Sequence, residues 1–156
     1  MHRTSATSRQ SGFTLTELVA VITIVGILAA SALPKITTLG HDARAAVLHS
    51  AAGALASTAS MVHSKYLIDP AAWRDGATLP VEDASVTLRH GYPGAEAGLA
   101  AVAGLGQSGK FKTSSDGATL IVAPEGVADP AQCHLRYTEA SSIAPPDIRT
   151  ITSDCS

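Results

Sequence analysis

Between Phe13 and Pro34 a single ionisable side chain, Glu17, interrupts a run that is otherwise free of charge. A helix of about 22 such residues is long enough to cross the roughly 30 Å hydrocarbon core of a bilayer. Any fold of this chain must therefore give that helix an apolar environment, whether lipid or other helices. Twelve mostly polar residues precede it, with Arg3 and Arg9 and no acid, a positive flank that keeps this end on the cytoplasmic side. A secretory signal is the simplest reading, and Ala30-Ser31-Ala32 even offers a small-residue cleavage site. Glu17 argues against it. A carboxylate within a membrane costs about 2.5 to 3.5 kcal/mol, so it wants a cationic partner and marks a functional site. Were the chain cut after Gly12, the new amine of Phe13 would lie four residues from Glu17 and could be that partner.

The chain of 156 residues is about one domain long, which excludes a multi-domain enzyme. With 46% apolar residues, 15% charged residues and a net charge of −2, it is neither a disordered acidic chain nor a basic nucleic-acid binder. Beyond Pro34 the helical spacing continues: Leu48, Ala51, Leu55, Ala59, Val62 and Tyr66 share one face. His49, Gly53, Ser57, Ser60 and Ser64 form a second, small and polar stripe. The first face is expected to pack on a globular head, leaving the second to neighbours or solvent. A helix over residues 13–66 would be roughly 80 Å long, far more than one small domain needs. Gly26 and Pro34 are its weak points, where glycine adds backbone freedom and proline removes a hydrogen bond.

Asp69-Pro70 opens a loop. Strands are predicted at 85–89, 119–123, 133–138 and 148–152, with a short helix at 95–105, and 112–117 is read as a turn. The expected fold class is α+β, with a small antiparallel sheet laid on the second half of the long helix. One Phe, one Trp and three Tyr remain to fill the head's core, which is therefore aliphatic and shallow. Trp73 is expected to pack against it rather than to serve as a ligand platform. Cys133 and Cys155 cannot make a zinc site alone. In a small exported domain they are most simply a disulfide, the alternative being two free thiols.

Several chemistries are weighed and set aside. Gly104-Leu105-Gly106-Gln107-Ser108-Gly109-Lys110 has phosphate-loop spacing, but Phe111 stands where Ser or Thr should hold magnesium. His41, His49, His63, His90 and His134 form no i, i+4 ligand pair, so no metal is expected. No Gly-x-Ser-x-Gly elbow supports a hydrolase. The reading is of a non-enzymatic chain without cofactor, metal or nucleic-acid partner. With no asparagine anywhere, N-linked sugar is ruled out.

Gly12-Phe13-Thr14-Leu15-Thr16-Glu17-Leu18, followed by an apolar helix and Pro34-Lys35, resembles the class III signal of type IV pilins and pseudopilins. Thr16 stands where an aliphatic residue is commoner. The resemblance implies a leader over 1–12, cleavage between Gly12 and Phe13 by a prepilin peptidase, and N-methylation of Phe13. It also implies a long helix over 13–66, of which 13–34 is membrane span and later filament core, and a head over 67–156. Glu17 is assigned to assembly, and Gly26 and Pro34 to a stretch of the helix that loses helicity in family filaments. Partners implied are identical or related subunits and the inner-membrane assembly machinery; the subunit waits in the inner membrane and ends in an extracellular filament. Asp42-Ala43-Arg44, His90-Gly91-Tyr92-Pro93, and Cys133-His134-Leu135-Arg136-Tyr137-Thr138-Glu139-Ala140 with Pro145-Pro146 and Cys155 are similar to the mannose-sensitive haemagglutinin pilin group. Residues 69–82 and 106–129 match that group poorly. Within the family, a secretion pseudopilin is the alternative; outside it, an exported, membrane-anchored enzyme or binding domain.

Overall fold

The computed structural model describes residues 12–81, 84–106 and 109–156; within its first helix the side chains at 34 and 36–38 lie outside that description, as do Arg3 and Arg9 of the leader. The chain forms two compact units, Met1–Thr37 and Thr38–Ser156. Helix α1, Leu15–Ile68, contributes to both, and it continues through Gly26 and Pro34.

In the first unit α1 begins at a capping-box sequence, of which the Thr14 half of the bonding is formed. The sequence Thr14-Leu15-Thr16-Glu17 places a hydroxyl before the helix and an acid at its third position, and the Glu17 backbone N–H donates to the Thr14 hydroxyl at 3.3 Å. Leu18 N–H then donates to the Thr14 carbonyl at 3.1 Å, starting the helical ladder. Every described side chain from Phe13 to Leu33 is exposed, and Leu15–Leu33 is long and apolar enough to span a membrane. The few hydroxyls here are satisfied inside the helix: Thr23 donates to the Val19 carbonyl at 2.7 Å and Ser31 to that of Leu28 at 2.8 Å. Such internal pairing suits a segment with no water to bond to.

The second unit holds the head. Together with the rest of α1 it makes up the unit Thr38–Ser156. What joins them is the apolar face foreseen from the spacing: Leu48, Ala51, Leu55, Ala59 and Val62 are buried in the head's core, and Tyr66 is half-buried. The second stripe, His49 through Ser64, is exposed.

Two antiparallel sheets supply the other side of the core. The first runs β1 (Thr78–Val81), β2 (Ala84–Arg89), β3 (Tyr92–Pro93); the second runs β4 (Phe111–Asp116), β5 (Thr119–Pro124), β6 (Cys133–Thr138), β7 (Asp147–Thr152). Helix α2, Ala97–Val102, lies between them in sequence. Alternation places Leu120 and Val122 of β5, and Cys133, Leu135 and Tyr137 of β6, against the core. Val86 and Leu88 do the same from β2, with Leu99 from α2, and Trp73 and Phe111 pack at the margin.

The architecture is α+β, but one expected sheet is in fact two, and residues 112–117, read as a turn, are mostly strand. β4 pairs with β5 along its whole length, Phe111 opposite Pro124 and Asp116 opposite Thr119. It is an outer strand whose side chains after Phe111 are all exposed. Backbone pairing holds it, so it leaves no apolar alternation to read.

Two glycines mark close approaches. His90 and Gly91 both take positive φ in the two-residue turn between β2 and β3, as mirror-image hairpin turns require. A Cβ on Gly91 would lie 2.7 Å from the Tyr66 ring. A Cβ on Gly98 in α2 would run into the Ser85 carbonyl oxygen. Gly98→Ala is therefore expected to destabilise the head by about 1–3 kcal/mol through overpacking. Gly53→Ala, on the exposed stripe with nothing within 4 Å, is expected to stabilise it by about 0.5–1 kcal/mol through helix propensity. Paired thermal melts of the two variants check both signs.

Candidate processing and assembly site

Gly12, Phe13 and Glu17 sit at the start of α1. A Cβ built on Gly12 would meet nothing within 4 Å among the described residues, and Phe13 is 81% exposed. Glu17 occupies the first turn, where the helix dipole favours a negative charge by about 0.3–1 kcal/mol. It is exposed among apolar neighbours, with Leu18, Val19 and Val21 exposed beside it. In the uncleaved chain the nitrogen of Phe13 is an amide and carries no charge. An ion pair between this nitrogen and Glu17 thus becomes chemically possible only after cleavage. Gly26 has open space around it, and Pro34 lies within α1.

At the other end of the sequence a disulfide joins Cys133 to Cys155, their Cα atoms 5.0 Å apart. Both residues are fully buried. Arg44 of α1 donates to the Cys155 carbonyl at 2.9 Å, and Ala128 N–H donates to the carbonyl of Ser156 at 2.9 Å. The last residues are thus tied to β6, to α1 and to the loop before β6. Asp154, although exposed, is held below the usual carboxylate range, chiefly by the backbone N–H of Ser156, which donates to it at 3.0 Å.

A second tie lies farther along α1. His63 Nδ1–H donates to the Gly91 carbonyl at 2.9 Å, and its ring stacks on Tyr92 with centroids 3.9 Å apart. Tyr137 O–H, buried in the core, donates to the Pro93 carbonyl at 2.6 Å. Burial pushes the Tyr137 phenol well above its ordinary range, helped by Glu139 and Tyr92, so it remains a donor. Ala95 N–H donates to Glu139 at 3.1 Å. Sequence reasoning singled out neither Arg44, His63 nor Tyr137 for these roles. Their hydrogen-bond partners are 28 to 111 residues away, and no local pattern encodes such pairs. The role of Thr14, by contrast, is readable from the Thr-x-x-Glu box.

Among the described residues no group of three or more His, Cys, Asp or Glu is placed to hold a metal ion. Of the phosphate-loop-like stretch, Gln107 and Ser108 lie outside the described residues, and the next element along the chain is strand β4 rather than a helix.

Residues 7–33 match the family profile described as the prokaryotic N-terminal methylation motif. No curated protein and no solved structure matches the chain. The matched stretch contains Gly12, Phe13 and Glu17 and ends before the head. It supports a precursor of type IV pilin or pseudopilin kind, with an apolar helix suited to membrane anchoring before assembly.

The disulfide closes a separation of 22 residues, worth about 3 kcal/mol in the chain-entropy description. Reducing it, or replacing both cysteines with serine, is expected to lower the head's stability by about that amount. Denaturant midpoints with and without reductant measure it; an unchanged midpoint contradicts the expectation.

Proposed function

We propose that this chain is a structural subunit of a type IV pilus of the mannose-sensitive haemagglutinin type, rather than an enzyme. A prepilin peptidase cuts between Gly12 and Phe13 and methylates the new amine. The subunit waits in the inner membrane of a Gram-negative cell, its positive leader flank inside and its head outside. It then leaves lipid for the apolar helices of identical or related subunits and becomes part of an extracellular filament serving adhesion, surface attachment or motility.

The observation that carries this reading is the conjunction at the start of α1. A Gly12–Phe13 pair with Phe13 exposed, a lone carboxylate four residues on and an exposed apolar helix coincide with the methylation-motif match. The head adds support: a disulfide that ties the C-terminal segment to the sheet resembles the arrangement of pilins, which favours a pilus over a secretion pseudopilus.

Mass spectrometry of the mature amino terminus tests the reading. It is expected to find N-methylated Phe13 as the first residue. A terminus at Leu33 would show secretory cleavage after Ala32, and an intact leader would show a permanent anchor; either result sinks the proposal.

A further inference from the structure

Alternation along β6 buries Cys133, Leu135 and Tyr137, so His134, Arg136 and Thr138 point away from the core and from α1. In β7 the phase is set by Ile148, which packs against the core, and Asp147, Arg149 and Ile151 share the outer face with them. The register then places Arg136 directly opposite Arg149. Like charges so placed, with Cβ atoms about 5 Å apart, destabilise a sheet. Both side chains are exposed, so packing does not call for the pair.

The surrounding charges do not cancel it. Arg149 Nε donates to Asp147 Oδ2 at 2.7 Å, which holds the guanidinium and leaves its two Nη groups for another acceptor. Among the described residues Arg136 makes no ion pair. Two guanidiniums against one carboxylate leave a single positive charge uncompensated. The other charges of this face, Lys112 and Asp116, are of opposite sign and stand two strands from Arg136, on β4.

Neutral groups frame the pair along β6. His134 Nδ1–H donates to the Pro130 carbonyl at 3.0 Å, so the neutral ring keeps Nε2 as a bare acceptor. Thr138, on the other side of Arg136, adds a half-buried hydroxyl. Ile121 of β5 lies opposite Arg136 and is half-buried, an apolar floor beside the guanidinium.

We propose that the Arg136–Arg149 pair is a binding site for the carboxylate of an acidic sugar, carried by an extracellular polysaccharide. A carboxylate between two guanidinium forks accepts from both, and its one charge matches the one left uncompensated. His134 and Thr138 then answer the hydroxyls of the sugar ring. A nucleic acid, with a phosphate at every nucleotide, would press further anions against Asp147 and Asp116. Binding relieves the repulsion between the arginines, so the free head gives up some stability for affinity. The inference rests on the filament reading for where the polysaccharide is met, since this face points away from α1, and it adds a ligand class to that reading.

Hyaluronan, with a glucuronate carboxylate in each disaccharide, is the probe, and the same polymer with its carboxylates reduced to alcohols is the control. Equilibrium binding is measured on the detergent-solubilised full chain. The chain is expected to bind hyaluronan and to lose about tenfold or more of that affinity on the reduced polymer, in Arg136→Gln and in Arg149→Gln. Arg136→Lys keeps the charge without the fork and is expected to bind severalfold more weakly. Arg74→Gln, which removes a charge from the loop before β1, is expected to keep full affinity. Without glycan, Arg136→Gln is expected to melt no lower than the parent chain, because a like-charge contact is gone. Equal binding of the reduced polymer, unchanged affinity in Arg136→Gln or Arg149→Gln, an equal loss in Arg74→Gln, or equal or tighter binding of single-stranded DNA overturns the assignment. So does a lowered melting temperature of Arg136→Gln, which would make the arginine structural. Each of these leaves the filament reading standing, since the measurement needs no polymer, whereas a mature terminus other than Phe13 removes that reading and leaves the binding result intact.

Discussion

An apolar helical segment, Leu15–Leu33, that carries one carboxylate and is exposed among the described residues constrains everything else in this chain. Leu15, Ile22, Ile24, Ile27 and Leu28 are all exposed in the first unit. In water such a surface would aggregate; in lipid it is at rest. Moving from lipid to neighbouring helices changes little in hydrophobic terms, so association must come from close packing and polar pairing. Gly26, Ala29, Ala30, Ser31 and Ala32 are small enough for close approach. In the proposed polymer Glu17 would supply the polar pairing, with charge on one side and, after cleavage, an amine on the other. Its place in the first helical turn moderates the cost of keeping that charge in an apolar setting.

The head solves a different problem, that of folding with few large side chains. Its core is built from leucine, valine and alanine with one buried aromatic, Tyr137. A small core leaves a thin margin of stability, and covalent and polar ties compensate for it. One set gathers at Arg44, where the disulfide and the last residues meet α1. The other gathers around Gly91, where His63, Tyr92 and Tyr137 bind the β2–β3 hairpin to helix and sheet.

The sequence shows most of this wherever a period or a local motif exists. The buried face of α1 follows from the spacing of Leu48, Ala51, Leu55, Ala59 and Val62, and strands β5, β6 and β7 follow from apolar alternation or β-branched runs. The stretch at 111–116 is hidden because its second to sixth residues are polar and exposed, and backbone pairing alone makes it a strand. β1, with Pro80, and the two-residue β3 are too short for a pattern to emerge. At the start of α1 the motif that holds Gly12, Phe13 and Glu17 is compact and matches the methylation profile; Arg44, His63 and Tyr137 depend on partners far along the chain and are not legible. The helix start is instructive, since Glu17 stands in the first turn, where its charge suits the helix dipole, as well as in the proposed pairing, and the two roles predict different consequences of removing its charge.

That difference gives the most direct measurement of the central claim. Glu17→Gln preserves the size of the side chain and remains compatible with the capping box, which accepts either residue, while deleting the charge. With cleavage at Phe13 confirmed and the subunit present in the membrane, filament yield is the quantity to measure. The ion-pair account predicts a processed, folded subunit that scarcely enters filaments. A normal yield would mean that Glu17 serves the helix start alone and would contradict the account.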